Sequence, residues 1–546
     1  MKPSANRMKD YYFRAIWLGF IILVLLGKAP SLYFFLSDVD FGIRFGLARQ
    51  VMLGKTPFID LWYLGGPLWA YAPALGLWVD DSLIPETLIC SVGYGISLFL
   101  ISLLVEANLP FGRVLNRVLG VAAGLAGLAF LSRFEKWYYW LCPLLVLFCF
   151  LQIATSPNAN AAHRKWIAFA GLASGLGFLF RFDLGIGCLF AAMTTVALYS
   201  IRPFSTETRL GRAVLVIIGF VTLVIPWLLF LGLKGGISVW RDLAVGFYQG
   251  IPGQVVAMHE PYPAFDVRHL SGHPSGLAIF LVVVPATYLL GITYGLLGVL
   301  KQRGENQATL RFLLAACIMG LAMWPEAIQR TAVASFLSVL PPFVLTGTIL
   351  CGQLWGPVGR FRGSSLERYA VRGGVVLYLM VLAVAGRAIR AEAAFALEPF
   401  GHKIVERFNL LAGGIPEGMD HPTAKLVEGV HHRTGEGDTV LYLIPYSAAH
   451  SFIHRPISGN LDTHLTGHYS EQEWRERNLR LIRLHPPALV IAERGYENLR
   501  TDRGFRKGFP ELDAYVRENY RVDRPFTEDI VFWTVLVPRA NTEDAQ

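Results

Sequence analysis

Long apolar runs separated by short polar connections dominate the first ~390 residues, at about 15–36, 84–106, 118–132, 138–155, 166–181, 184–200, 213–233, 274–299, 312–328, 331–352 and 373–392. A ~30 Å hydrocarbon core is crossed by roughly 20 apolar residues in a helix, so the runs predict about eleven transmembrane helices. The stretch from Gly66 to Val79 is apolar too, but it is only about 14 residues long, carries Pro67 and Pro73, and is followed by Asp80-Asp81. So short a piece is more often re-entrant or interfacial than spanning. If segment 66–80 does span, the total rises toward twelve or thirteen and the parity of everything downstream changes.

After Arg390 the pattern changes. Gly413-Gly414-Ile415-Pro416 reads as a linker, and Gly437-Asp438 followed by Thr439 to Pro445 reads as a turn and a buried strand. Ser470 to Leu484 reads as a charged amphipathic helix with Trp474, Leu479, Leu481 and Ile482 on its apolar face, stopped by Pro486-Pro487. Ala488–Ala492 is a second predicted strand, Glu511–Asn519 a helix and Asp529–Val537 a last strand. The predicted fold class is a polytopic α-helical membrane protein with a C-terminal soluble α/β domain. Residues 1–395 form its transmembrane part, with outer loops at 37–83 and 234–273, and residues 396–546 form the soluble domain.

Composition agrees with the membrane class: 53% of residues are hydrophobic, only 16% are charged, and the mean hydropathy is +0.44. The net charge of +9 does not point to nucleic acid, because the basic residues are scattered through short loops rather than gathered in a stripe. They set orientation instead. With the basic N-terminus, Met1 to Arg14, in the cytoplasm, the loops carrying Arg113/Arg117, Arg164/Lys165, Arg202/Arg209/Arg212, Lys301/Arg303/Arg311 and Arg360/Arg362/Arg368/Arg372 all fall inside. An odd number of crossings then puts the C-terminal domain on the periplasmic or extracytoplasmic side of the plasma (inner) membrane. The first run lacks a small-x-small cleavage site, so it reads as an uncleaved helix. All six cysteines (Cys90, Cys142, Cys149, Cys188, Cys317, Cys351) lie in apolar segments, and no disulfide framework or metal site is implied.

The same threading gathers most of the membrane part's acids on the outer side. Asp38 and Asp40 sit just past the first run, where carboxylates beside lipid are costly enough to make a chemical role the default hypothesis. Acids merely solvated at a helix end remain the alternative. Arg133, Lys136, Arg181 and Arg330 lie among aromatics at the outer boundary, either as ordinary interface anchors and ion pairs or as cations that grip a lipid-linked phosphate. Asp60, Asp183, His259 and Glu260 are further outer-side candidates for binding substrate, the last two in the long 234–273 loop, which reads as a mobile cover. Gly54-Lys55-Thr56 imitates the end of a phosphate-binding loop, but Arg49 stands where the first glycine belongs and no strand precedes it. His464 and His468 lack a third zinc ligand. Asp38 and Asp40 alone make a poor divalent-metal cage, so a metal is left open and no other cofactor is implied.

The order Asp40, Ala48, Gly54-Lys55-Thr56-Pro57-Phe58-Ile59-Asp60, Gly66-Pro67-Leu68 resembles the first outer loop of the GT-C superfamily. These polytopic glycosyltransferases include protein O-mannosyltransferases and aminoarabinose lipid A transferases. In bacterial members an Asp-Glu pair precedes an alanine, a G-x-x-P-Y-x-D motif and a proline-containing segment. The alignment puts the catalytic aspartate on Asp40 and finds Phe41 at the glutamate position, leaving Asp38 as a competitor. Arg181-Phe182-Asp183-Leu184-Gly185 is similar to the family's basic-x-acidic-x-Gly stretch, which implies a donor-phosphate role for Arg181. Gln329-Arg330 through Pro341-Pro342 resembles its Arg-x-x-x-His-Tyr…Pro helix, with Ser335-Phe336 in place of His-Tyr.

The resemblance implies an inverting transferase of the cell envelope that moves a sugar from a polyprenyl-phosphate donor to a hydroxyl of a lipid, polysaccharide or protein acceptor. A lipid-linked sugar transporter or flippase, and an envelope polysaccharide polymerase or ligase, are the alternatives. Membrane lipids are the other implied partners.

Overall fold

The computed structural model describes residues 5–32, 39–63, 65–128, 136–155, 160–199, 209–246, 275–300, 307–329, 340–355, 422–443, 452–461, 464, 471–493, 508–530 and 533–539. The chain divides into two compact units. One comprises residues 1–32, 88–226 and 260–402, and the other residues 33–87, 227–259 and 403–546.

The described part of each predicted apolar run falls on a helix, while 373–392 lies outside the described residues: Ala5–Leu32, Ile84–Asn108, Arg113–Leu128, Tyr138–Thr155, Asn160–Phe180, Phe182–Tyr199, Arg209–Gly235, Ser275–Leu300, Gln307–Gln329 and Leu340–Trp355. Within the described residues, four stretches are long and apolar enough to cross a bilayer: Ile84–Asn108, Tyr138–Thr155, Leu210–Gly235 and Gln307–Pro325. The protein is therefore mostly helical and built for a membrane.

In the first unit the helix Tyr138–Thr155 packs on Asn160–Phe180, which packs on Phe182–Tyr199; Gln307–Gln329 packs against Phe182–Tyr199, Tyr138–Thr155 and Ser275–Leu300. Helices in lipid gain little from apolar burial against one another, so close backbone approach matters more. Gly171 and Gly219 supply it: a Cβ on the first would press into the Val216 carbonyl, and on the second into the Ala168 carbonyl.

The second unit holds a four-stranded sheet of order β1-β2-β4-β3, with β1 Val440–Tyr442, β2 Leu489–Glu493, β3 Tyr520–Val522 and β4 Trp533–Pro538. β1 and β2 are parallel, with Leu441 opposite Val490, while β4 runs antiparallel to both β2 and β3. The parallel pair requires a crossover, and the helix Gln472–Leu484 lies in that connection, burying Trp474, Leu479 and Ile482. The sequence reading anticipated β1, β2, β4 and that helix; it missed β3 and the helices Pro422–Arg433 and Arg524–Asp529.

The stretch read as the first outer loop is more ordered than that reading allowed. It contains the helices Val39–Met52 and Pro67–Val79. Thirteen residues at 1.5 Å rise give about 20 Å, so Pro67–Val79 is too short to cross a bilayer. The end of the first of these helices and the turn after it are tied to residues 455–460, between β1 and β2. Gln50 donates from Nε2 to the Arg455 carbonyl and accepts the Ile457 N–H on Oε1, both at 3.0 Å. The Trp62 N–H donates to the Asn460 carbonyl at 2.8 Å, and its ring lies 4.7 Å from that of Trp474.

Candidate functional site

In the first unit, two of the cations singled out in the sequence meet at one aromatic ring. The helix Asn160–Phe180 ends and Phe182–Tyr199 begins with only Arg181 between them. This reversal depends on Gly185, where a Cβ would collide with the backbone of Phe178. The start of Tyr138–Thr155 is fixed against the same corner: the Tyr138 ring stacks on Phe180 at 5.0 Å and 4°, and Trp137 meets Phe180 edge-on at 4.9 Å. The Arg181 guanidinium consequently lies 5.4 Å from the centre of the Tyr139 ring and the Lys136 ammonium 6.0 Å from it.

Cations within about 6 Å of a ring are attracted to its negative face, by ~0.5 kcal/mol when exposed and ~2 kcal/mol or more when desolvated. This site lies between those limits: Tyr139 is 1% exposed and Lys136 9%, but the Arg181 side chain is 19% exposed. Asp183 completes the group. Arg181 Nε donates to both of its carboxylate oxygens, at 2.9 and 3.1 Å, which fixes the plane of the guanidinium. Asp183 Oδ1 also accepts the Leu184 N–H at 2.9 Å in the first turn of its helix. Lys136, Arg181 and Asp183 thus form a preorganised, positively biased corner of the kind that stabilises charge developing on a phosphate oxygen.

Asp40 occupies the second position of the helix Val39–Met52 in the other unit. Arg44, one turn further along and on the same helical face as position 40, forms a buried ion pair with Glu86. Arg44 Nη1 lies 2.8 Å from Glu86 Oε1 and both side chains are 1% exposed. Arg44 Nε also donates to the Trp69 carbonyl at 3.3 Å. Neither Arg44 nor Glu86 stood out in the sequence; the signal was a cation one turn after an acid already flagged.

Asp60 is exposed and serves the turn: its carboxylate accepts the Thr56 N–H at 2.8 Å, and its own N–H donates to the Thr56 carbonyl at 2.9 Å. Lys55, beside it, donates from Nζ to the carbonyls of Ile457 at 2.8 Å and Gly459 at 3.4 Å. Burial pulls the Lys55 pKa down, and the nearby Asp60 charge opposes that fall. Gly54-Lys55-Thr56 is therefore an anchor between the turn and the α/β region, in keeping with its dismissal as a phosphate loop.

His464 is buried with both ring nitrogens engaged, Nδ1 with the Tyr442 carbonyl and Nε2 with the Asn478 amide, each at 2.9 Å. Burial pushes its pKa down to about 4, against the raising effect of the carbonyl bond. The ring is neutral and structural. Among the described residues no group of three or more His, Cys, Asp or Glu side chains could hold a metal. Asp38, Arg133, Arg330, His259 and Glu260, the remaining candidates, lie outside the described residues, as does His468.

The chain is similar in structure to two crystal structures of ArnT from Cupriavidus metallidurans. With the protein bound to undecaprenyl phosphate the TM-score is 0.49 at 13% sequence identity, covering 96% of this chain and 98% of that one. With the apo protein it is 0.47 at 13% identity, covering 91% and 93%. No protein-family model and no curated protein sequence matches the chain.

Proposed function

We propose that this chain is an inverting membrane glycosyltransferase that moves a sugar from a polyprenyl-phosphate donor to an acceptor hydroxyl at the non-cytoplasmic face. The observation that carries the reading is the convergence of Lys136 and Arg181 on Tyr139, with Asp183 holding the guanidinium in plane. A leaving phosphate is an anion in a low-dielectric boundary, and fixed cations there lower the barrier without reorganising during the reaction. The resemblance of Asp40 through Leu68 and of Arg181 through Gly185 to GT-C transferases supplies the rest.

In this mechanism Asp40, or Asp38 as its competitor, accepts the proton of the acceptor hydroxyl. The hydroxyl oxygen bonds to the anomeric carbon from the face opposite the phosphate. The bond from that carbon to the phosphate oxygen breaks, and its electrons leave on polyprenyl phosphate, whose charge Arg181 and Lys136 stabilise, with Arg133 and Arg330 as further contributors. Asp60, Asp183, His259 and Glu260 are the proposed contacts to sugar or acceptor. Residues 1–395 carry the reaction, and residues 396–546 lie on the outer side.

Mass spectrometry of envelope glycans tests the reading. Cells lacking the protein should lose one sugar modification, wild-type chain should restore it, and Asp40→Asn should not, although the variant inserts normally. Restoration by Asp40→Asn eliminates Asp40 as the base and passes the question to Asp38→Asn. An envelope unchanged by loss of the protein, with a lipid-linked sugar accumulating on one leaflet, would favour the flippase.

A further inference from the structure

We propose that Tyr139 is a positioning residue whose ring face holds Lys136 and Arg181 near each other, so that both cations serve one phosphate; this rests on the donor-phosphate reading of those cations. Two like charges brought to one buried corner repel each other, and the repulsion grows as water is removed. The negative face of an aromatic ring offsets it without contributing a full counter-charge that would compete with a phosphate. Asp183 supplies a full counter-charge on the Nε side of Arg181.

Tyr139 sits where it can act on both cations. It is 1% exposed, lies 5.4 Å from Arg181 Cζ and 6.0 Å from Lys136 Nζ, and is held by the neighbouring Tyr138 ring at 5.1 Å. Tyr138 is pinned in turn by its stack on Phe180. Lys136 and Arg181 are far apart in sequence, yet both lie beside this one ring. An ordinary interface tyrosine stands at the headgroup level with its polar tip in water; a ring 1% exposed with two cations beside it is not in that position.

The test is phosphate-dependent binding by the full chain in detergent, with farnesyl phosphate as the prenyl monophosphate probe and farnesol as its phosphate-free control. Wild-type protein should bind farnesyl phosphate at least about tenfold tighter than farnesol, and Arg181→Gln or Lys136→Gln should remove most of that preference. Tyr139→Phe, which keeps the ring face, should preserve it. Replacing residue 139 by phenylalanines with one, two and three ring fluorines drains the face at nearly constant volume, so folding is spared. Affinity for farnesyl phosphate should fall stepwise, to about tenfold weaker with three fluorines, while farnesol binding stays constant.

Equal binding across the fluorine series, with the Arg181 and Lys136 variants still defective, overturns the role of Tyr139 and leaves the donor-phosphate reading intact. Loss of the preference in Tyr139→Phe also overturns it, because the hydroxyl rather than the ring would then be acting. Retention of the preference in both cation variants sinks the donor-phosphate reading itself.

Discussion

Replacing Glu86 by leucine removes the carboxylate 2.8 Å from the Arg44 guanidinium, in a site where Arg44 is 1% exposed. The attraction across a 2.8 Å ion pair is offset by the cost of drying both ions, so the pair as a whole contributes little net stability; removing one partner is different, because the remaining charge keeps its desolvation cost. Such truncations destabilise by about 3–5 kcal/mol. The Arg49–Asp81 pair provides an internal comparison: Arg49 is 9% exposed but Asp81 54%, so in Asp81→Ala water reaches the place of the lost carboxylate and the loss should be smaller than for Glu86. Denaturant melts of purified protein in detergent, followed by tryptophan fluorescence, should therefore rank Glu86→Leu below Asp81→Ala. The double variant Arg44→Met/Glu86→Leu should recover most of the loss, since apolar side chains of similar volume replace buried ion pairs at little cost. If Glu86→Leu melts with Asp81→Ala, or the double variant melts below both singles, the pair is not a buried clamp and the reasoning fails.

Three more outcomes follow from the geometry. Trp62→Ala should destabilise the second unit by about 3–5 kcal/mol, because the side chain is 1% exposed and packs against the Trp474 ring; chemical denaturation checks this, and a loss below ~1 kcal/mol would contradict the packing. Gly185→Ala should lower the temperature midpoint and abolish the farnesyl phosphate preference together, since its Cβ meets the Phe178 backbone at the corner that presents Arg181; a variant that binds and melts normally would disprove the need for close approach. The pKa of His464 is about 4 in the folded chain against 6.5 when free, so the unfolded state takes up a proton first as the pH falls. Its contribution is fully present above pH 6.5 and is lost between 6.5 and 4, by ~3 kcal/mol in all. His464→Gln should flatten that slope, leaving the part due to His454, which burial first and then Arg49 also push down to about 4; an unchanged slope would refute the assignment.

How much of this was legible in the sequence depended on whether the forces at work were local. Membrane-length helices announce themselves because lipid accepts only a long apolar run, β1 and β2 because short apolar stretches follow Gly437-Asp438 and Pro486-Pro487, and β4 as the apolar, β-branched run ending at Pro538. β3 gave no such signal: it has three residues, Arg521 in the middle, and exists by pairing with β4. The helix Val39–Met52 was hidden for the opposite reason. Residues 42–50 are buried on every side, so no polar face imposes a 3.6-residue period, and its polar members Arg44, Arg49 and Gln50 satisfy partners supplied by Glu86, Asp81 and the backbone at 455 and 457. Polarity there reads as loop in one dimension and as buried network in three.

The same division runs through the candidate site. Arg181 with Asp183, and Lys136 beside its aromatics, were visible as sequence neighbours whose chemistry is costly at a membrane boundary. What joins them is Tyr138 on Phe180, an aromatic stack between residues 42 positions apart, and nothing in either local motif specifies that contact. Charge marks which residues to examine because ionised groups are scarce in lipid. Packing decides which of them meet, and it is carried by aromatics and by a glycine at 185, residue types that are common in membrane helices and so single out no position when read alone. Substituting the cations tests whether a phosphate binds, whereas altering the ring face of Tyr139 tests why the cations are found together.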